Sequence, residues 1–316
     1  MMLPSLDAEC VVAAQRRPGV VRLVTWNIWF SPLQAQERMA VLFSQALKQA
    51  ADVICLQEVL PPLATALRAH EALNRVYHVS PNDVDPYGCL ILARRSLGGV
   101  KFEEKAFPTN MGRSLLLAHW TEGDVGQKIA VANVHLESLD NEPTRRAQLE
   151  IAASELAPYA RAVLCGDFNF DARQKWGAWR KRPPPMPPHV PGALAAPPLR
   201  PAAPAVLENS VLLELLPSFT DAWAALHGAA RDDDDAMYYT FDGAHNPHVH
   251  DPGERMRYDR VMLKGLTPAS FALLGTPGSA AVVPSDHYGI CVEARWVESG
   301  GSSALARQPE EACTAG

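Results

Sequence analysis

The chain has 316 residues, 47% of them hydrophobic and 20% charged, with a formal net charge of −6. That apolar content excludes disorder throughout and suits one or two soluble domains. The acidic balance excludes a protein that coats long nucleic acid, but a site gripping a few phosphates stays open, because local charge governs it.

Along the chain, residues 1–20 read as a loose leader carrying Asp7, Glu9, Arg16, Arg17 and Pro18, without an apolar stretch of signal-peptide length. Residues 20–27 are β-branched and follow Pro18-Gly19, which predicts a strand. Helical spacing over 36–50 (Met39, Leu42, Phe43, Ala46, Leu47) precedes a buried strand at 52–58 that ends in a carboxylate, and a second helix follows Pro61-Pro62. Further strands are expected at 88–93, 114–120 and 128–136. A helix over 143–157 has Pro143 in its first turn, and a strand follows at 161–166. Residues 173–182 interleave basic side chains with Trp176 and Trp179, a strand-guiding surface for DNA or a loop packing its tryptophans inward.

Residues 183–204 hold 10 of the 27 prolines, which predicts an extended insertion; it is either a solvated loop or a docking segment for a protein partner. A helix is expected at 218–226, a solvated acidic turn at Asp232–Asp235, and strands at 258–263, 280–283 and 289–296, before a disordered tail at 297–316. The pattern is that of a layered α/β domain with mixed sheets over 21–296. Six cysteines show no C-x-x-C pair, and Cys55, Cys165 and Cys291 lie in apolar runs, as reduced core thiols do. No run approaches the ~20 apolar residues of a membrane span. These features predict an intracellular protein, nuclear or cytoplasmic, that does not enter membranes.

Polar residues at strand ends carry the chemistry, since strand ends and loops present side chains to ligands. They are Asn27 in Thr-Trp-Asn-Ile, Glu58 in Leu-Gln-Glu-Val, His135 in Asn-Val-His-Leu-Glu-Ser, Asp167 and Asn169 in Gly-Asp-Phe-Asn, Asp259 in Arg-Tyr-Asp-Arg, and Asp286-His287 in Pro-Ser-Asp-His. Hydrolysis of a phosphodiester anion needs charge neutralised at its non-bridging oxygens and a positioned water. Glu58 offers a hard oxygen of the kind Mg²⁺ prefers, Asp167 can take the proton of the water, and the Asn27 and Asn169 amides can fix water and phosphate. His287 can donate to a phosphate oxygen if a carboxylate keeps it oriented and charged, and either Asp286 or Asp259 could do so. The absence of Cys/His zinc spacing favours Mg²⁺, or Mn²⁺, over zinc.

The order Asn, Glu, His, Asp-x-Asn, Asp, Asp-His resembles the endonuclease/exonuclease/phosphatase superfamily. The wording Gln-Glu-Val-Leu-Pro-Pro at 57–62, Met-Gly-Arg at 111–113, His-Leu-Glu-Ser at 135–138 and Pro-Ser-Asp-His-Tyr-Gly at 284–289 is similar to its 5′-tyrosyl-DNA phosphodiesterase branch. The resemblance implies an α/β four-layer sandwich, two packed mixed β-sheets flanked by helices, with strand ends converging on one cleft. It also implies a Mg²⁺-dependent phosphodiesterase acting on DNA 5′ ends that carry a tyrosyl or peptide adduct, expected as a monomer. Carried over by position, the metal falls to Glu58 and the acid/base role to Asp167. Asn27, His135, Glu137, Ser138 and Asn169 would face the DNA end. Tyr87, Phe241, Tyr258 and His287 would line the groove, with core or edge-strand packing the alternative for Phe241 and Tyr258; Arg113, Arg145 and Arg146 are either phosphate clamps or exposed solubilising charge.

Four departures bear on the transfer, one being that the proline-rich insertion separates the Asp167 segment from the helix at 218–226 by more than the family needs. Trp29 stands where the family often has an aspartate near the metal, Asp171 where it has a basic residue, and Phe241 where a tryptophan is usual. Asp171 is therefore expected to weaken the phosphate grip. Alternatives remain: another phosphoesterase of the same fold (an abasic-site endonuclease, an RNA exonuclease or a lipid or inositol phosphohydrolase), or a non-catalytic adaptor.

Overall fold

Strand ends gather at one edge because two β-α-β units run in the same sense within two facing sheets. The computed structural model describes residues 16–122, 126–181, 207–228 and 238–297. The proline-rich insertion, the Asp232–Asp235 run, most of the leader and nearly all of the tail lie outside the described residues.

In chain order the elements are β1 (Val20–Asn27), α1 (Ala35–Lys48), β2 (Val53–Val59), α2 (Pro61–Ala69), α3 (Glu71–Val76), β3 (Tyr77–Val79), β4 (Gly88–Arg94), β5 (Lys101–Ala106), β6 (Ser114–Glu122) and β7 (Gln127–His135). They continue with α4 (Glu142–Leu156), β8 (Arg161–Asp167), α5 (Ser210–Leu215), β9 (Thr220–Asp221), α6 (Ala222–His227), β10 (Phe241–Asp242), β11 (Arg255–Met256), β12 (Asp259–Lys264), β13 (Leu266–Leu274) and β14 (Gly289–Trp296).

Among the described residues one six-stranded sheet has the order β13-β14-β1-β2-β4-β3 and the other β5-β6-β7-β8-β12-β9, with β10 and β11 forming a separate ribbon. β1 and β2 are parallel across α1, and β7 and β8 are parallel across α4; the remaining pairings are antiparallel, so both sheets are mixed. The carboxyl ends of β1, β2, β7 and β8 open toward one side, where ligands meet parallel α/β strands.

Side-chain alternation builds the layers. Val21, Leu23, Val53 and Cys55 of the first sheet pack against Ile129, Val131, Val163, Cys165 and Val261 of the second. The opposite faces take the helices. Val24, Trp26, Ile54 and Leu56 meet Leu42, Phe43 and Leu63 of α1 and α2, while Ala162 and Leu164 meet Leu149, Ala152 and Leu212 of α4 and α5. The result is helix, sheet, sheet, helix, the four-layer sandwich expected. Central strands buried on both faces explain the unbroken apolar runs in sequence. Cys55, Cys89, Cys165 and Cys291 are buried and free, and no helix among the described residues is long and apolar enough to cross a membrane.

Three segments differ from expectation. Residues 280–283 form bends rather than a strand, since 275–288 carry the chain from edge strand β13 across the end of the sheet to β14, where no ladder partner lies. β5 and β13 escape the sequence pattern because both are half-exposed edges, β5 rich in charge and β13 broken by Pro268 at a register shift. The helix expected at 218–226 is shorter, and starts where the Asp221 carboxylate accepts from the Trp223 and Ala224 amides at 3.0 and 3.2 Å.

Gly166 precedes Asp167 on β8 with φ of 129°, and a Cβ there would sit 2.0 Å from the Val134 carbonyl oxygen on β7. Gly166→Ala is expected to cost at least about 3 kcal/mol from backbone strain and displaced pairing, read as a lowered denaturation midpoint. Wild-type stability would show that β7 and β8 approach differently.

Candidate active site

Alternation along each strand decides which polar side chains meet. The inward parity that buries Cys55, Val131, Cys165 and Val261 between the sheets continues outward to Gln57, Asn133, His135, Asp167 and Asp259. Below the site, the Gln57 amide donates to Thr25 at 3.0 Å and to Asn133 at 2.7 Å, and Asn133 donates to the Leu56 and Leu90 carbonyls. This buried polar floor ties the two sheets at their open end.

Glu58 would point outward by parity. Instead β2 shifts register between Leu56 and Val59, and Glu58 adopts φ of 61°, a left-handed conformation that turns its carboxylate toward the cleft. Trp29 and Asn169 also have positive φ, 58° each, so three of the six non-glycine residues with positive φ among the described residues sit at these strand ends.

Asn27 links the two sheets' acids. Its Nδ2 donates to Glu58 Oε1 at 3.1 Å and to Asp167 Oδ2 at 3.0 Å, and its Oδ1 accepts from the Trp29 amide. The second Glu58 oxygen accepts from the Phe30 amide at 3.1 Å. Asp167 Oδ1 accepts from the Asn169 amide at 2.9 Å, while the Asn169 side chain donates to the Leu136 carbonyl. His287 Nδ1 donates to Asp259 Oδ2 at 2.8 Å, and its Nε2 lies 3.8 Å from Asp167 Oδ2. His135 Nε2 is 3.5 Å from that same oxygen. Between the two possible partners of His287, the structure selects Asp259; Asp286 Oδ1 lies instead 3.3 Å from Ser285 Oγ.

The two imidazoles titrate in opposite directions. Burial lowers the His287 value, but the Asp259 and Asp167 charges overcome it and hold the ring well above its usual range, so it is a cation at neutral pH. Burial, with Arg113 and His287 nearby, holds His135 well below it, so that ring is neutral. Burial also raises Glu58 and Asp167, and lifts Asp286 to about 7 with help from the Glu58 and Asp167 charges.

The donor set fits a divalent cation. Four carboxyl groups, Glu58, Asp167, Asp259 and Asp286, crowd the His287 imidazolium, and buried Asp259 Oδ1 has no hydrogen-bond partner among the described residues. Ligand atoms of Asp167, Asp259 and His287 lie within 4.8 Å of one another, close enough to hold a metal ion.

The proposed substrate contacts divide. Arg113 Nη2 donates to Ser138 Oγ at 3.0 Å and its guanidinium stacks 5.2 Å over Tyr87; with His135 it lines one small cleft. Phe241 meets His287 edge-on at 4.9 Å and Tyr258 at 5.4 Å, so three of the four residues expected to line the groove are in ring contact. Tyr258 itself is buried, with its hydroxyl donating to Glu254 at 2.8 Å.

Glu137 does not face a ligand. Its carboxylate is consumed by Thr109 Oγ1, the Asn110 amide and Gln148 Nε2, so it braces the 107–113 loop that carries Arg113. Arg145 is buried against Glu208 and the carbonyls of Glu137 and Leu139. Arg146 is not brought to the site either; on the outer face of α4 it pairs with Glu150 and Glu214. Asp171 does not oppose phosphate, because its buried carboxylate accepts from the Arg173, Gln174 and Arg257 amides. In the basic-aromatic run, Trp179 packs inward with Tyr258 and Met256, and Trp176 and Phe241 pack against that cluster.

Two residues escaped sequence reasoning. Ser285 Oγ donates to the Asn27 carbonyl at 2.7 Å and accepts from the His287 amide at 3.1 Å, stitching the last motif to the first; its place in Pro-Ser-Asp-His was the signal. Buried Arg38 donates to the Ile28, Trp29, Ser31, Leu33 and Pro284 carbonyls, clamping the loop after β1. An arginine on an apolar helix stripe was its only trace.

Residues 24–287 match the Endonuclease/Exonuclease/phosphatase family. The chain belongs to that family. It is a phosphoesterase of this group, with a buried acidic and histidine cluster that fits a metal site. It is 31% identical over 155 residues to tyrosyl-DNA phosphodiesterase 2 of Gallus gallus, a match covering 47% of this chain and 41% of that protein. It is 29% identical over 178 residues to tyrosyl-DNA phosphodiesterase 2 of Homo sapiens, covering 54% and 46%. The chain thus spans less than half the length of these curated relatives. Among solved structures, D. rerio TDP2 complexed with single strand DNA product superposes with a TM-score of 0.64 at 24% identity, covering 87% of this chain and 99% of that one. The human Nocturnin catalytic domain with bound sulfate anion gives 0.60 at 17%, covering 89% and 95%. These likenesses show the shared fold.

Asp259→Asn is expected to lower the His287 titration midpoint, followed by NMR of the ring. Because the fold favours the charged ring, its stabilising contribution is full below about pH 6.5 and is lost as pH rises through the raised folded value. In Asp259→Asn that loss is complete at lower pH; an unmoved midpoint would remove Asp259 as the source of the charge.

Proposed function

We propose that the protein is a divalent-metal-dependent phosphodiesterase that hydrolyses 5′-phosphotyrosyl bonds at DNA ends, removing tyrosyl or peptide adducts in DNA repair. The observation that carries the reading is that the hydrogen-bonded set Asn27, Glu58 and Asp167 and the hydrogen-bonded pair Asp259–His287 meet at one end of the two sheets, with His287 Nε2 3.8 Å from Asp167 Oδ2. The similarity to tyrosyl-DNA phosphodiesterase 2, with the Tyr87–Arg113 stack and the Phe241–Tyr258 ring contact, favours a tyrosyl ester within the family.

Mg²⁺, or Mn²⁺, would be held by Glu58 with Asp286 close by, and when bound would neutralise charge on the non-bridging oxygens. Glu58 suits this better than the Asp167, Asp259, His287 group, since His287 Nδ1 is already committed to Asp259 and Mg²⁺ prefers oxygen ligands.

Asp167, raised by burial but linked to Asn27 and Asn169, takes the proton of the attacking water. The Asn27 amide, donating to both acids, keeps the two carboxylates in fixed relation as negative charge shifts between them. His287, oriented and charged by Asp259, donates from Nε2 to a phosphate oxygen where charge builds. Neutral His135 supplies a hydrogen bond without adding charge. Phenol, with pKa ~10 against ~15.7 for water, leaves with little protonation, so the cleft needs no strong acid behind the leaving group.

Release of tyrosine from a 5′-tyrosyl oligonucleotide tests the reading, against matched abasic and adenylate-tailed oligonucleotides. Glu58→Ala and Asp167→Asn are each expected to lower kcat/KM by about 10³-fold with little change in melting, and chelation to abolish turnover until Mg²⁺ is restored. A folded, metal-replete protein that releases no tyrosine would overturn the proposal. For His287→Ala the loss is expected to be smaller with a tyrosyl than with an alkyl leaving group; equal losses would count against the oriented donor.

A further inference from the structure

Beside Glu58 opens a cavity of about 320 Å³ that the hydrolytic machinery does not use. Its walls come from the loop after β1 and the first turns of α1 and α2, chiefly Trp29, Phe30, Pro32, Met39, Leu60 and Leu63. The volume is at the lower end of ligand pockets, ~300–1,000 Å³, and the apolar lining is of the kind such pockets carry.

Three observations say what it would take. The pocket shares a wall with the active site, because Glu58 lines it and the Phe30 amide holds the Glu58 carboxylate. It also adjoins the aromatic rim, since Phe30 lies 5.1 Å from Tyr87, whose ring Arg113 covers. Finally, its charge is wrong for nucleic acid. Its lining cation, Arg38, is spent on five backbone carbonyls, so the lining leaves no free cation to pair with a phosphodiester. An apolar side chain would gain by burial and meet no opposing charge.

We infer that this cavity receives an apolar side chain of the peptide attached to the leaving tyrosine, making the enzyme selective for the sequence of the adduct as well as for its phosphotyrosyl bond. The inference rests on the tyrosyl reading above. The tyrosine ring would pass beside Tyr87, which Phe30 of the cavity wall contacts. The rigid loop clamped by Arg38 keeps the pocket open before substrate arrives, so little ordering cost opposes binding.

The test compares kcat/KM for oligonucleotides bearing 5′-phosphotyrosyl peptides Leu-Tyr-Leu and Gly-Tyr-Gly. The wild-type full chain is expected to favour the leucine peptide about ten-fold, mainly through KM. Filling the pocket by Ala35→Phe, with Ala35→Leu as a milder variant checked for unchanged melting, is expected to bring that ratio to about one. Equal values for the two peptides in the wild type, with tyrosyl turnover intact, would overturn the pocket assignment alone. Absence of turnover on every tyrosyl oligonucleotide would overturn the underlying reading with it. A preference set by the 5′-terminal base and removed by Ala35→Phe would assign the cavity to a nucleobase and overturn the peptide proposal.

Discussion

The site exists because polar side chains are forced to end an apolar interior. Strands β1, β7, β8 and β12 alternate so strictly that the positions facing the other sheet remain inward up to the open edge. There the apolar core gives way to Thr25, Gln57 and Asn133, then to the acids and imidazoles. An unpaired polar group at this depth costs about 1–3 kcal/mol, so each amide and carboxylate must find a partner across the gap. That requirement holds the sheets in register with each other, and the same hydrogen bonds set the distances between Glu58, Asp167 and His287.

Electrostatics follows from that geometry. Burial penalises each charge, and the site answers unequally: Asp259 and Asp167 keep His287 charged against it, while burial, aided by Arg113 and His287, keeps His135 neutral and, aided by neighbouring carboxylates, leaves Glu58 and Asp286 raised. Such divergence between neighbouring titratable groups is how one cleft separates donor from acceptor. The unrelieved acidity at Glu58 is what a hard cation satisfies.

Legibility in the sequence varied with the kind of constraint. Central strands, α1 and α4 were readable, because burial on two faces or one stripe writes an apolar period into the chain. Edge strands β5 and β13 were not, since half their side chains meet water and leave no such period. For single residues the motif marked Glu137, Arg146 and Asp171 as chemical, yet the partners of Glu137 are donors of the 107–113 loop and of α4, those of Arg146 are surface glutamates, and those of Asp171 are backbone amides. A charged residue near a motif has the same letter whether it meets a ligand or a brace.

By itself the amino-acid order determined the layered α/β class and the polar strand ends of this protein, because burial periodicity and residue chemistry are local properties. Tertiary structure alone decided that Asp259 rather than Asp286 charges His287, that a bulge turns Glu58 into the cleft, and that Arg38 holds open an apolar cavity beside it. Those outcomes depend on distances between segments as many as 246 residues apart. Hydrogen bonds and Coulomb forces act over a few ångströms of space, whatever the separation along the chain.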